Sequence, residues 1–316
     1  MYDLAFMAQP NHIVLLYMEG IDLVRSFART VIPNVNPSRV PKEINVSFDG
    51  GAFNGFYGLG VGLYLKELEA SGMTVVKKVS GVSAGSMLAL WYILEKPKTD
   101  INRTFVEMAD HFNTHHNLRI YKRQVRRIVK DNFATDNLSI LDDRLFISYY
   151  DIKECCRVTV SKYTSRKHLV DTIVQSSHIP FIVTKNMAYK NRYIDGMRPT
   201  LFDAETRTLF VKLTTMSKLA RMFYTGTEVN MFHRVIIGIA DANDFFTTGN
   251  SDMCSFVDEW STLSKLGFYC RELGLCILYY LVTKICANEH CFAISTAIST
   301  AIRHVPWRLV GQEHFS

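Results

Sequence analysis

This 316-residue sequence lacks a CxxC pair, because no two of its seven cysteines have that spacing. The seven cysteines are odd in number, which favours reduced thiols in a cytosolic protein over a disulfide framework. A chain of this length buries enough surface to fold without covalent cross-links. The class of small, disulfide-stabilised secreted proteins is therefore excluded.

Long hydrophobic runs are also missing. The best candidate for a membrane span, Leu273–Ala287, is shorter than the roughly 20 residues that a spanning helix needs, and it contains Lys284. A buried core helix is our preferred interpretation of this segment, and a helix lying on a membrane surface is the alternative. The N-terminus lacks a positively charged region before its short apolar run, so no signal peptide is predicted. We expect a soluble, cytoplasmic protein that associates with membranes peripherally.

An excess of charge of one sign is absent as well. Lys and Arg number 36 against 30 Asp and Glu, which gives a formal net charge of +6. This excess is too small to indicate a nucleic-acid-binding protein and supports only mild attraction to an anionic surface. The composition, 48% hydrophobic and 21% charged, excludes wholesale disorder and fibrous repeats.

Strand-like and helix-like segments alternate from residue 43 onwards, which is typical of a parallel sheet covered by helices. After a possible helix at Ile21–Ile32, the first predicted elements are a strand at Ile44–Phe48, a glycine cluster at Asp49–Gly60, a helix at Val61–Ala70, a strand at Thr74–Val79 and a helix at Ser86–Leu94. Further helices are predicted at Asn102–Lys130 and Asp171–Ser176. Further strands are predicted at Cys156–Tyr163, Ala188–Ile194, Thr206–Leu213 and Arg234–Ala240, with mostly helical sequence after Asp252. The fold class is α/β, and the absence of a long Gly/Ser linker favours one large domain.

The pentapeptide Gly81–Gly85 has the pattern GxSxG between a predicted strand and a predicted helix. In that context the turn is sharp, and it presents the hydroxyl of Ser83 at the strand's carboxyl end. The following helix N-terminus and the Ala84 N–H favour negative charge where an oxyanion would form. The alternative is an ordinary glycine-rich turn. We interpret Ser83 as a nucleophile.

A run of small residues, Asp49–Gly55, follows the first strand. Successive backbone N–H groups in such a run can hold an anion, either a phosphate or the oxyanion of an acyl-transfer intermediate. The run does not fit GxGxxG in register, and no Lys-Ser/Thr pair follows as in a P-loop. Its position before Ser83 favours an oxyanion loop over a nucleotide-binding loop.

The candidate general bases are a late histidine, His290 or His304, the nearer His178, or Asp195. Neither late histidine has a suggestive sequence context, and His178 is better interpreted as a packing or capping residue. Asp195 follows a predicted strand and precedes a glycine, so it lies where α/β sites collect. A carboxylate beside a serine in a cleft poor in water can take the proton directly, and the alternative for Asp195 is a plain turn.

The three motifs in this order, DGGAFNG at 49–55, GVSAGS at 81–86 and DGM at 195–197, resemble a patatin-like phospholipase domain. The segment 176–181, small residues followed by proline, is similar to one that precedes the aspartate in that family. The resemblance covers about residues 43–200 and implies a three-layer α/β/α sandwich with a mainly parallel central sheet and a helical C-terminal part. We expect a preamble at 1–41, the catalytic core at 42–202, and a continuation of the sheet with helices at 203–316.

The resemblance also implies a mechanism. Ser83 would be the nucleophile and Asp195 its base, with oxyanion donors from Gly50, Gly51 and Ala52 and also from Ala84. The reaction implied is hydrolysis of a lipid ester through an acyl-enzyme, without a cofactor or a metal. The alternative function is a catalytically silent lipid-binding or scaffold protein on the same fold.

The chain departs from the family pattern at three positions. The plant-type loop has an arginine where this chain has Asn54 and a glycine where it has Ala52, and Met197 replaces a smaller residue. Loss of the arginine removes a fixed positive charge beside the site and places phospholipid preference in question. The loop is closer to animal-type members, some of which act on neutral glycerolipids.

Two clusters outside these motifs have other possible functions. Six cations share one face of a helical stretch and would suit an anionic membrane, or would be an ordinary solvated face: Arg119, Lys122, Arg123, Arg126, Arg127 and Lys130. His111, His115 and His116 are better interpreted as solvated than as a metal site, because an HExxH arrangement is absent. The expected partner is a lipid substrate at a membrane or droplet surface, with the C-terminal third shaping the acyl pocket or the membrane contact.

Overall fold

The first strand, β1 (Glu43–Phe48), has five consecutive buried residues, as expected for a strand covered on both faces. The structure, a computed structural model, describes residues 23–94, 100–202, 205–225 and 231–285. The other strands in these ranges are β2 (Val75–Gly81), β3 (Leu145–Asp151), β4 (Cys156–Val160), β5 (Tyr193–Asp195), β6 (Thr208–Val211) and β7 (Cys254–Phe256). They form one mixed sheet in the order β4-β3-β2-β1-β6-β7, with β5 paired to β3.

The centre of the sheet is parallel and its margins are antiparallel. β1 pairs in parallel with β2 and β6, and β2 pairs in parallel with β3. β4, β5 and β7 pair antiparallel with their neighbours. The carboxyl ends of β1 and β2 therefore meet at one edge, where Asp49 and Ser83 follow them.

Helices cover the sheet as the α/β/α sandwich requires. They are α1 (residues 23–31), α2 (Gly55–Ala70), α3 (Ala84–Ile93), α4 (Ile101–His115), α5 (Tyr121–Asn132), α6 (Arg166–Ser176), α7 (Phe232–Thr248) and α8 (Thr262–Ile285). α3 packs on β1, β2 and β3, α6 packs on β3 and β5, and α2 packs on α7. The predicted α/β fold class is confirmed, whereas the predicted domain boundaries stay a prediction.

The predicted strand at Arg234–Ala240 is wrong, because this segment lies inside helix α7. The β-branched run Val235–Ile237 favours a strand locally, but the buried residues of α7 recur three and four positions apart. Gly238 meets α2 so closely that a Cβ there would clash with the main chain of Tyr57. Tertiary packing of two helices at this contact outweighs the local β-propensity.

Other boundaries differ in ways that matter for the site. The glycine cluster is helical from Gly55. The predicted helix Asn102–Lys130 is two helices separated by residues 116–120, and His116, with φ 53°, ends the first of them. The strand expected at Ala188–Ile194 is reduced to Tyr193–Asp195. β3 and β7 were not predicted. Parts of the predicted N-terminal preamble, as well as His290 and His304, lie outside the described residues.

The core-helix interpretation of Leu273–Ala287 is wrong for its described part. These residues belong to α8, where Leu273 and Ile277 are each more than half exposed. The last two positions of the segment lie outside the described residues. Among the helices of the described ranges, none combines the length and the apolar character that crossing a membrane requires.

Candidate active site

Ser83 lies between the end of β2 and the start of α3, in a strained backbone conformation with φ 55° and ψ −129°. Such a conformation costs about 1–3 kcal/mol for a residue with a side chain and persists only where its surroundings enforce it. Here the start of α3 is pressed onto the end of β1, because a Cβ at Gly85 would clash with the carbonyl of Phe48. The strand and the helix expected around the GxSxG turn are both present.

Hydroxyl groups hold the main chain of Ser83 on both sides. Its N–H donates to the carbonyl and to Oγ of Ser176, each at 3.1 Å. Its carbonyl accepts from Ser86 Oγ at 2.6 Å and from Ser177 Oγ at 3.0 Å. The hydroxyl of Tyr121 is 2.7 Å from Ser177 Oγ, so α5 supports the same network. The small residues at 176 and 177 thus have a local purpose, which is to fix the turn.

Asp195 lies near Ser83 because of the position at which β5 pairs with β3. β4 occupies one edge of β3, and β2 occupies the other edge as far as Ile147. β5 pairs with Tyr149–Asp151 and therefore continues on the β2 side, just beyond the end of that strand. The Ser83 hydroxyl lies close enough there to lower the pKa of the Asp195 carboxyl group. The structure thus brings together the two residues of the expected dyad.

Burial raises the pKa of Asp195 to about 6. Hydrogen bonds from the Ser83 hydroxyl and from the Met197 N–H, the latter at 2.9 Å, act in the opposite direction. Among nearby charges, Asp49 raises the pKa and Arg271 lowers it. A carboxylate with this pKa is ionised at neutral pH yet basic enough to accept a proton from a reacting hydroxyl.

The glycine-rich loop lies beside Ser83, but its donors are not equivalent. Gly50 N–H donates to Oδ1 of Asp49 at 2.9 Å, so this expected oxyanion donor is used within the loop. Within the described residues, the N–H groups of Gly51 and Ala52 have no acceptor. Ala52 has φ 46° and lines the same pocket as Ser83 and Ala84. Gly51, Ala52 and Ala84 are therefore the available donors.

An ion pair behind the loop was not predicted. Asp49 is fully buried, and Arg271 of α8 contacts both of its oxygens, at 3.0 and 3.2 Å. Thr214 donates to the same carboxylate at 2.8 Å, and Arg271 also donates to the Met197 carbonyl at 3.2 Å. Arg271 therefore joins the oxyanion loop to the turn that follows Asp195. No local signal could identify a pair separated by 222 positions.

A second arginine reaches the loop from α7. Asn54 is fully buried, and its amide nitrogen donates to the Leu213 and Lys218 carbonyls at 2.9 Å. Arg234, also fully buried, donates to the Phe53 carbonyl at 3.2 Å and to Asn54 Oδ1 at 3.4 Å. The loop arginine of the family pattern is absent, as expected, but a residue 180 positions away places another cation against the loop.

A narrow apolar pocket of about 30 Å³ opens from Ser83. Its lining comes from the glycine-rich loop, the turn at Ser83, α4, the start of α5 with the residues before it, and the segment after α6: Ala52, Phe53, Ser83, Ala84, Phe105, Met108, Leu118, Tyr121, Ser177, Ile179 and Val183. None of these described lining residues comes from the C-terminal third, so its expected contribution to the acyl pocket stays a prediction. The lining suits a hydrocarbon chain.

Among the candidate histidines, the structure describes His178 and the cluster on α4. His178 is fully buried, burial lowers its pKa to about 4, and its carbonyl accepts the Asp195 N–H at 3.2 Å. It is a packing residue that positions the aspartate through the main chain. His111 and His115 stack at 4.3 Å, and the described residues contain no cluster of three or more groups able to hold a metal ion.

The expected basic helix is present as α5, with its apolar residues buried and its cations outward. Lys122 pairs with Asp171 at 3.2 Å and Arg127 pairs with Glu107 at 2.9 Å. The remaining members of the set are exposed: Arg119, which precedes the helix, and Arg123, Arg126 and Lys130. We call these four the basic face of α5.

Comparison with known proteins gives one finding for this region. Residues 46–200 match the family model described as patatin-like phospholipase, and these residues contain the glycine-rich loop, Ser83 and Asp195. None of the curated proteins compared with the chain matches it.

Proposed function

Given that residues 46–200 form a patatin-like phospholipase domain, we propose that the protein hydrolyses carboxylic esters of lipids through an acyl-enzyme on Ser83. The placement of the Ser83 hydroxyl beside a carboxylate of raised pKa is the observation that carries this proposal. The Ser176 carbonyl accepts from the N–H groups of Ser83 and of Gly196, the residue after Asp195, at 3.1 and 3.4 Å. This arrangement would supply a nucleophile and a nearby base at the carboxyl edge of the parallel strands, where α/β enzymes place their sites.

The proposed reaction has two halves. Asp195 takes the Ser83 proton as Oγ attacks the ester carbonyl, and the N–H groups of Gly51, Ala52 and Ala84 stabilise the resulting oxyanion. The intermediate collapses, and the leaving alcohol receives the proton from Asp195. Water then attacks the acyl-enzyme with Asp195 again as base, Ser83 Oγ takes that proton from Asp195 as its ester bond breaks, and the fatty acid leaves.

The surroundings of Ser83 favour a lipid over a polar ester. The pocket beside it presents Phe105, Met108 and Ile179, side chains that attract hydrocarbon and offer no polar partner. Its small volume means that these side chains must shift to admit a long chain. The substrate class proposed is glycerolipids or phospholipids, with the buried Arg234 and Arg271 as fixed cations behind the loop.

The test measures fatty-acid release from phospholipid, lysophospholipid, monoacylglycerol and triacylglycerol by the wild type and by Ser83→Ala. Release that disappears in Ser83→Ala, but persists in the exposed control Ser38→Ala, is expected. The preferred lipid then defines the head-group class.

A second measurement separates the enzyme from a catalytically silent lipid-binding protein. An active-site-directed organophosphonate should modify Ser83, detected by mass spectrometry of the peptide that contains it. Failure to label this serine in protein shown to be folded, together with no release from any lipid, would refute the proposed hydrolase.

A further inference from the structure

Helix α8 carries an apolar stripe on its exposed side. Seven of its described side chains are 51–77% exposed: Leu263, Leu266, Tyr269, Leu273, Ile277, Tyr280 and Leu281. At 3.6 residues per turn, all seven fall within an arc of about 120°. Soluble proteins seldom expose a continuous apolar surface of this kind without a partner for it.

The opposite side of α8 is fixed to the body of the protein. Phe268 is buried and packs against Phe210 and Trp260, with ring centroids 5.4 Å apart in each case. Arg271, on the same side, reaches the buried carboxylate of Asp49. At 100° per residue these two side chains lie nearly opposite the centre of the stripe. The stripe therefore points away from Phe210 and Asp49, and its members Tyr269 and Leu273 border an open cavity beside Tyr150 of β3 and Arg157 of β4.

The chemistry of the stripe fits a lipid–water interface. Leucine and isoleucine occupy its centre and one edge, whereas Tyr269 and Tyr280 lie on the other edge, where an apolar ring with a polar tip suits the boundary with water. The guanidinium of Arg198 lies 4.6 Å from the Tyr269 ring centroid and places a cation at this edge. Such a cation favours the phosphate groups of lipid head groups.

The position of α8 also favours lipid. An enzyme that takes an acyl ester from aggregated lipid must approach that lipid close to its nucleophile. Arg271 contacts Asp49, the residue before the oxyanion loop, and the carbonyl of Met197, two residues after the candidate base. This step rests on the proposed function, because it takes the substrate to be a lipid.

We propose that the apolar stripe of α8 is an interfacial binding surface for lipid, and that Arg271 is a positioning residue joining this helix to the oxyanion loop. One helix then carries the lipid-binding stripe on its outer side and, on its inner side, the Arg271 guanidinium that positions the oxyanion loop.

The stripe is tested by binding, in the Ser83→Ala background, so that hydrolysis cannot alter the vesicles. Leu273→Glu and Ile277→Glu should each weaken partition onto neutral phosphatidylcholine vesicles about tenfold, because each removes an apolar group from the interface and adds a charge. Ser264→Glu, on the same helix but off the stripe, is the charge-matched control and should bind normally. Neutral vesicles remove the contribution of the basic face of α5.

Other occupants of the stripe give different results. Unchanged partition, with a shift from dimer to monomer in sedimentation, would show that a second copy covers it. Unchanged partition with a lower thermal midpoint would show that the chain's own residues cover it. Either result overturns the proposal.

Arg271 is tested in solution with a short, water-soluble ester. Arg271→Gln should lower kcat with little change in KM and shift the acid limb of the pH profile upward, because the cation that lowers the pKa of Asp195 is lost. Arg271→Lys should restore part of both. A fall in kcat with no movement of the pH profile in either variant would reduce Arg271 to a structural role and overturn this half of the proposal.

The two proposals fail separately. Vesicle binding that depends on Leu273 in a protein without esterase activity would keep the interfacial surface and reject the hydrolase. Hydrolysis of vesicle lipid and of soluble ester that both survive Leu273→Glu would do the opposite. With both proposals correct, this variant loses vesicle hydrolysis about tenfold more than soluble-ester hydrolysis.

Discussion

Replacing Asp195 with asparagine should abolish turnover and at the same time stabilise the fold at neutral pH. The carboxylate is ionised above pH 6 in a position where burial opposes its charge. Asparagine keeps the shape and the acceptor for the Met197 N–H, but it carries no charge and cannot act as a base. The same substitution therefore moves activity and stability in opposite directions.

The size of the stabilisation follows from the pKa. Folding raises the pKa of Asp195 from 3.8 to about 6, and at 1.36 kcal/mol for each pH unit this corresponds to about 3 kcal/mol. The neutral form stabilises the fold fully below pH 3.8, and this contribution is lost as the pH rises through 6. The free energy of unfolding of Asp195→Asn, relative to wild type, should therefore increase by about 3 kcal/mol between pH 3.8 and pH 7.

Urea unfolding of both proteins across this range provides the measurement, since the other titrating groups cancel in the difference. Asp171→Asn is the matched control. Burial raises the pKa of Asp171, but hydrogen bonds from Lys190, Tyr189 and Lys122 hold it well below its ordinary value. That variant should be less stable than wild type by a constant amount from pH 7 to about 4, with the deficit shrinking only below 3.8. A flat difference for Asp195→Asn would refute the raised pKa, and near-normal turnover would refute its function as base.

Turnover of the wild type should fall below pH 6 as the proposed base becomes protonated, which a pH–rate profile on a soluble ester would check. Gly50→Ala should lower kcat with a smaller effect on the thermal midpoint, because the new Cβ would lie 3.1 Å from Cβ of Ser83; an unchanged kcat would contradict this. Gly85→Ala should lower the free energy of unfolding by several kcal/mol through its clash with the end of β1, as circular dichroism during denaturation would show. Charge reversal at Arg123 and Arg126 should weaken binding to anionic vesicles but not to neutral ones, and equal binding to both would make α5 an ordinary solvated helix.

The parts of the site that could be predicted are those encoded within a few adjacent residues. The first strand with its glycine-rich loop, and the turn at Ser83 with a strand before and a helix after, have local patterns. Asp195 could be identified because it follows a strand-like segment and precedes a glycine, although only its last residues form β5. Local sequence specifies these elements because each depends on its own backbone geometry.

The parts that could not be predicted depend on distant contacts. The Val235–Ile237 run favours a strand by propensity, yet it is helical because α7 packs on α2. The two arginines that reach the loop come from α7 and α8, about 180 and 222 positions away. Their function is invisible locally, because an arginine within a helix has no signature of what its guanidinium will contact. The exposure of α8 was missed for the same reason, since the sequence of an apolar helix does not show whether other parts of the protein pack over it.

The two carboxylates near Ser83 differ in what surrounds them, and this difference supports the functions proposed for them. Asp49 is fully buried and is held by the Gly50 N–H, the Thr214 hydroxyl and both nitrogens of Arg271, so its oxygens are occupied. Asp195 receives the Met197 N–H and lies beside the Ser83 hydroxyl. In the proposed mechanism Asp195 therefore accepts the proton that leaves Ser83, while Asp49 anchors the proposed oxyanion loop. Because Asp49 raises the pKa of Asp195 and Arg271 lowers it, any movement of α8 that withdraws the guanidinium would change loop geometry and base strength together.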